Sequence, residues 1–218
     1  MNMHNLDSII LDLDGTLIDS MSVWYDVDRR FLLENGAVPP PGISEKVKRM
    51  SIEQAAAFFK AEFGLNQSVT EIINRIGSMV ADAYAYEIPV KRGVREFLDF
   101  LDMKDIPYGV ATATYSKLAK SVLERLGLLH RMKFVLTGED VPVPKTSPDI
   151  FLECARLLGS PPERTLVVED SLHCLETAFA AGFKTAAVKD RANEAEWERI
   201  AEIADFAVES IDELAGNI

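Results

Sequence analysis

Cysteine and histidine are scarce in this 218-residue chain, at two and three residues, and basic residues are outnumbered 23 to 35 by acidic ones. Cys154 and Cys174 match neither a CxxC pair nor a zinc-ligand spacing and sit in helix-like runs. They are expected as reduced core residues, not as a disulfide framework or a metal clasp. His4, His130 and His173 are scattered and offer no metal cluster. The shortage of basic residues leaves a net charge of −12, a field that repels phosphate backbones, so no nucleic-acid partner is expected. Much of the acidic excess lies between Asp190 and Ile218, where nine acids face two arginines, and it reads as solvated surface. Long apolar runs are missing too. The longest stretch without a charged residue is the eleven residues from Ile106 to Ser116. A membrane-spanning helix needs roughly 20 apolar residues, so no membrane partner is expected. The N-terminus meets Asp7, Asp12 and Asp14 before an apolar segment can form, which does not read as a secretory leader. The cytoplasm is the default address and a monomer the default state, with a dimer as the alternative.

What remains is a chain with 48% hydrophobic and 27% charged residues, the balance of a globular protein. Its hydrophobic periodicity changes character twice. Residues 8–12, Ser-Ile-Ile-Leu-Asp, form a short apolar run that stops at Asp-Leu-Asp-Gly-Thr, as a buried strand does on meeting a loop. From 19 to 88 the spacing is helical. Met21, Trp24, Val27 and Phe31 share one face, and Pro39-Pro40-Pro41-Gly42 then breaks the chain. A second helix follows the capping-box spacing Ser51-Ile-Glu-Gln54, with Ile52, Ala55, Ala56, Phe59 and Phe63 on its apolar face. A third follows Ser68-Val-Thr-Glu71. After Pro89, short strand-like runs at 108–112, 134–137, 165–169, 185–188 and 206–208 alternate with amphipathic helices, the pattern of a parallel sheet covered on both faces. The strand at 8–12 needs these partners. Residues 1–18 and 89–218 are therefore expected to form one discontinuous α/β domain, with 19–88 inserted as a helical bundle.

Open parallel sheets bind ligands at the carboxyl ends of their strands, and polar residues gather at those ends here. Asp12 and Asp14 close the first run, Thr112 the second, and Glu169 with Asp170 the run at 165–169, while Lys145 follows the run at 134–137. Carboxylates brought together resist joint ionisation unless a cation balances them, and hard oxygen donors select Mg²⁺. A cation, a lysine, a threonine hydroxyl and loop amides together make a phosphoryl site within an anionic protein.

These residues also resemble a known family. Asp12-Leu-Asp14-Gly-Thr-Leu is similar to the first motif of the haloacid dehalogenase-like hydrolases. Ala111-Thr112-Ala-Thr resembles the second, Lys145-Thr-Ser-Pro148-Asp-Ile-Phe151 the third, and Glu169-Asp170-Ser171 the fourth, in order across roughly residues 9–188. The resemblance implies an α/β fold with a Rossmann-like parallel sheet core, helices on both faces, and an inserted α-helical bundle as a cap domain that closes to exclude water. This is the family branch that includes phosphoglycolate and sugar-phosphate phosphatases and β-phosphoglucomutase. It implies a Mg²⁺-dependent phosphatase acting on a small phosphorylated metabolite. Asp12 would be the nucleophile and a Mg²⁺ ligand, becoming an aspartyl-phosphate. Asp14 would be the general acid and base, with its carbonyl on Mg²⁺. Thr112 and Lys145 would bind the phosphoryl group, Asp170 would ligate Mg²⁺ directly and Glu169 through water.

The sequence departs from the family pattern at two places: Thr146 stands where a proline usually follows the motif lysine, and Cys174 where a glycine is common. In the inserted region, Lys46-Val-Lys48-Arg49-Met50-Ser51 replaces a glycine-centred substrate loop, and its basic residues read first as a solvated helix face. Trp24 and Tyr25 read as core, and Thr114 and Ser116 as caps of the helix running to Leu126, not as ligands. The rival readings are a phosphomutase with the same residues, a metal-independent dehalogenase, and a non-catalytic phosphometabolite-binding protein.

Overall fold

The computed structural model describes residues 6–47, 50, 52–141 and 145–218. The chain divides into two compact units, Met1–Asp19 with Pro89–Ile218, and Ser20–Ile88.

The first unit is an α/β fold around six parallel strands: β1 (Ser8–Leu11), β2 (Tyr108–Thr112), β3 (Val135–Thr137), β4 (Thr165–Glu169), β5 (Lys184–Val188) and β6 (Phe206–Val208). Their order is β3-β2-β1-β4-β5-β6. Every residue of β1, β2 and β4 is buried, so both alternating sets of side chains are covered, as expected of a parallel sheet between helices. Ile9 aligns with Tyr108 on one side and Leu166 on the other, which makes β1 central. From β1 the strands run outward in opposite directions, and the switch falls between β1 and β4, where an open α/β sheet leaves a crevice at its carboxyl end.

The helices of this unit are α5 (Val94–Met103), α6 (Ser116–Arg125), α7 (Asp149–Leu158), α8 (Leu172–Ala180) and α9 (Trp197–Ile203). Ile150, Phe151, Cys154 and Ala155 put one face of α7 against Ile10, Ala111 and Val167 of three adjacent strands. Cys174 and Ala178 of α8 join the same cluster, while Leu175 turns to Ala187 and Ile200. Both cysteines are free and buried. Gly109 is fixed by close approach, because a Cβ there would lie 2.4 Å from the Phe134 ring.

The second unit is helical, with α1 (Met21–Glu34), α2 (Ile43–Val47), α3 (Ile52–Phe63) and α4 (Val69–Asp82), the last continuing into one wider turn at Ala83–Glu87. The capping box at Ser68 and Glu71 forms as its spacing implies. The Phe31 and Phe59 rings meet at 5.9 Å between α1 and α3. Two side chains expected in the core are not there. Ile52 is 61% exposed, because the buried face of α3 is carried by Ala56 and Phe59 and does not extend to its first turn. Trp24 is 42% exposed, with its ring edge-on to Tyr84 and its Nε1 donating to the Tyr84 hydroxyl at 3.1 Å. An indole that must keep its N–H bonded settles at the margin of the bundle. Tyr25 is half-buried. His4, Lys48, Arg49 and the expected capping box at Ser51 lie outside the described residues. Among the described residues no helix is long and apolar enough to cross a membrane.

Candidate active site

The carboxyl ends of β1, β2 and β4 bring together Asp12, Thr112, Glu169 and Asp170, and the loop after β3 delivers Lys145 to the same place. All five are buried. Lys145 Nζ donates to Asp12 Oδ1 at 2.5 Å and to Glu169 Oε1 at 2.9 Å. Glu169 Oε2 accepts the backbone amides of Asp170 and Ser171, each at 2.9 Å. Both oxygens of Glu169 are thus engaged, while Asp12 Oδ2 has no hydrogen bond among the described residues. Asp12, Glu169 and Asp170 each place a carboxylate oxygen within 4.8 Å of the others.

Three buried carboxyl groups and one ammonium do not balance, and the protonation equilibria record the excess. Burial, then the charge of Glu169, push Asp12 up to about 8 despite the attraction of Lys145. Asp170 is held well above the usual carboxylate range by burial and by the charges of Glu169, Asp12 and Asp190. Burial disfavours ionised Lys145, but the charges of Asp12 and then Glu169 outweigh it and keep the lysine well above its ordinary value, while burial of Glu169 is outweighed by the charge and hydrogen bond of Lys145, which hold the glutamate below its own. This surplus of negative charge on the hard oxygen donors of Asp12, Glu169 and Asp170 fits a small divalent cation such as Mg²⁺.

Asp14 lies just beyond the carboxylate cluster. Its Oδ2 accepts the Thr114 hydroxyl at 2.7 Å and sits 3.4 Å from that of Thr112. The Thr112 hydroxyl accepts the Thr114 amide at 3.0 Å, which fixes its oxygen, and among the described residues donates only the long 3.4 Å bond to Asp14 Oδ2. Gly15 follows with φ 86°, a left-handed turn that glycine adopts without strain, and its amide bonds back to Ile18. Thr114 and Ser116 do not cap α6. Its N-cap is Tyr115, without a side-chain cap bond, and the Ser116 amide is satisfied by Glu139 instead. Ser171 likewise caps α8 by position without a side-chain bond.

Other supports escaped the sequence reading. Lys91 Nζ donates to the Gly15 carbonyl at 2.5 Å, the Lys189 carbonyl at 3.1 Å and Asp190 Oδ2 at 2.6 Å. Asn193 Nδ2 donates to the Asp170 carbonyl at 2.7 Å, holding the acidic loop from behind. Neither has a motif to announce it, since each works across a long sequence separation. Cys174 is buried beside this cluster, and burial, then the charge of Glu169, push its thiol up, so it remains an unreactive packing residue.

Comparison with known proteins places this geometry among relatives. The family model of the haloacid dehalogenase-like hydrolases matches residues 9–188. The chain is 27% identical over 193 residues to the N-acetylmuramic acid 6-phosphate phosphatase of Pseudomonas aeruginosa, covering 87% of this chain and 84% of the relative. It is 28% identical over 200 residues to the phosphoglycolate phosphatase of Chromobacterium violaceum, covering 86% and 87%. Its fold is similar to that of a candidate β-phosphoglucomutase from Thermotoga maritima, with a TM-score of 0.85 at 23% identity and 97% of each chain covered.

Proposed function

Because the chain belongs to the haloacid dehalogenase-like hydrolase family, we propose that it is a Mg²⁺-dependent phosphatase of a small phosphorylated metabolite, working through an aspartyl-phosphate on Asp12. The observation that carries this reading is the bridge from Lys145 to both Asp12 and Glu169, with Asp170 alongside. One cation of the protein holds the nucleophile by Oδ1, and the second carboxylate oxygen is left to meet phosphorus.

Bound Mg²⁺ would neutralise the crowded carboxylates and draw charge from the phosphoryl oxygens. Asp12 attacks phosphorus as the bond to the leaving alcohol breaks, and Asp14 gives that alcohol its proton. Lys145 and the Thr112 hydroxyl bind the phosphoryl oxygens as it transfers, so the residues act by placement and charge. In the second half Asp14 takes a proton from water, water oxygen bonds to phosphorus, and the Asp12–phosphorus bond breaks. Asp170 would ligate the metal directly, Glu169 through water because Lys145 and two amides already engage its oxygens, and Asp14 through its backbone carbonyl.

Relatives that act on N-acetylmuramic acid 6-phosphate and phosphoglycolate support sugar phosphates and phosphoglycolate-like compounds as the substrate class. The helical unit is assigned the cap role of choosing among them.

The test is inorganic phosphate release from a panel of sugar phosphates and phosphoglycolate, with and without Mg²⁺, for the wild type and Asp12→Asn. Mg²⁺-dependent release that the variant loses by at least about 10³-fold, without interconversion of sugar-phosphate isomers, is the expected result. Equal rates for the two proteins would remove Asp12 as nucleophile, and isomerisation without phosphate release would make the enzyme a mutase.

A further inference from the structure

We propose that Thr114 is a positioning residue for Asp14, holding it in the conformation in which it delivers a proton to the leaving alcohol; this rests on the phosphatase reading above. Three observations bear on it. The Thr114 hydroxyl donates to Asp14 Oδ2 at 2.7 Å, a short and well-formed hydrogen bond. The competing Thr112 hydroxyl stands at 3.4 Å from the same oxygen, at the limit of a hydrogen bond, so Thr112 does not do this work. The Thr114 amide in turn donates to Thr112 Oγ1 at 3.0 Å. One residue thus sets both neighbours: its amide fixes the Thr112 oxygen, and its hydroxyl fixes the Asp14 carboxyl.

The chemistry follows from where the carboxyl is held. A hydroxyl bonded to Oδ2 restricts rotation of the Asp14 side chain and so fixes the direction in which it presents its carboxyl group. In the first half-reaction the phosphorus–oxygen bond to the alcohol breaks, the Asp12–phosphorus bond forms, and the Asp14 proton passes to the departing oxygen. The step demands that proton only when the leaving group is a poor one. An alkoxide from a sugar needs it, whereas 4-nitrophenolate leaves without it.

Leaving-group dependence therefore separates positioning of the acid from general support of the fold. The experiment measures kcat/KM, which reports steps up to alcohol release, for Thr114→Val and Thr114→Ser on a sugar phosphate that the wild type hydrolyses and on 4-nitrophenyl phosphate. Thr114→Val is expected to lose about 10²-fold on the sugar phosphate and less than about threefold on 4-nitrophenyl phosphate. Thr114→Ser, which keeps the hydroxyl, is expected to retain both. Thr114→Ala replaces Thr114→Val if the latter does not fold. An equal loss on the two substrates, or a loss in Thr114→Ser matching that of Thr114→Val, overturns the proposal while leaving the phosphatase reading intact. A wild type that releases phosphate from neither ester overturns both.

Discussion

Lys91 and Asp190 form an ion pair at 2.6 Å with side chains only 15% and 7% exposed, joining the segment before α5 to the loop that follows β5. The same ammonium holds the Gly15 carbonyl, one residue beyond Asp14. Two of the loops that frame the candidate site are therefore tied through one side chain.

Removing one partner of such a pair leaves a charge stranded. Lys91→Met is expected to destabilise the protein by about 3 kcal/mol, read as a lowered urea midpoint, because Asp190 loses its buried cation and keeps only backbone amides of the turn that follows it. Adding Asp190→Asn to the same variant should recover part of that loss. Additive costs in the double variant would show that the two side chains do not stabilise each other.

The crowded acids make a second prediction. Without divalent cations, Asp170→Asn should melt above the wild type, since it relieves repulsion from Glu169 and Asp12. Adding Mg²⁺ should reverse the order: the wild type gains stability by binding the ion and the variant does not. Thermal melts in EDTA and in millimolar Mg²⁺ read both halves, and an identical Mg²⁺ gain in the two proteins would remove Asp170 as a ligand.

Asp28 on α1 is raised by burial to about 6, against about 3.9 in an unfolded chain. Between these values the folded protein binds more protons than the unfolded one. The stability this contributes is fully present below about pH 4 and is lost as pH rises through 6. Asp28→Asn should therefore raise the Tm by a few degrees at pH 7.5 and change it little at pH 4, as melts at the two pH values would read. A gain of equal size at both would refute the burial account.

The strand-end residues were legible in the sequence because the strands carry them. A short apolar run that stops at an aspartate places it at a sheet edge, and β1, β2 and β4 do this for Asp12, Thr112 and Glu169. The parallel sheet followed from the alternation of strand and helix patterns. Side-chain contacts between segments far apart did not follow. Lys91 meets partners 76 to 99 residues away, and nothing in Val90-Lys91-Arg92 marks it. Thr114 has capping chemistry by residue type, and only its place beside Asp14 gives the hydroxyl another use. Periodicity named the apolar face of α3 but not how far along the helix it is covered, which is why Ile52 lies open to solvent.

The central position of β1 also governs when the protein can become active during its own synthesis. Ser8 bonds to Thr165 across 157 residues, and Ile9 waits for Tyr108 and Leu166. The helical stretch Ser20–Ile88 is continuous and depends on nothing translated later for its chain, so it can settle while the first strand is still unpaired. A nascent chain halted before Lys145 thus leaves Asp12 with no ammonium to hold it, and the carboxylate cluster is complete only once β4 and Asp170 have been made.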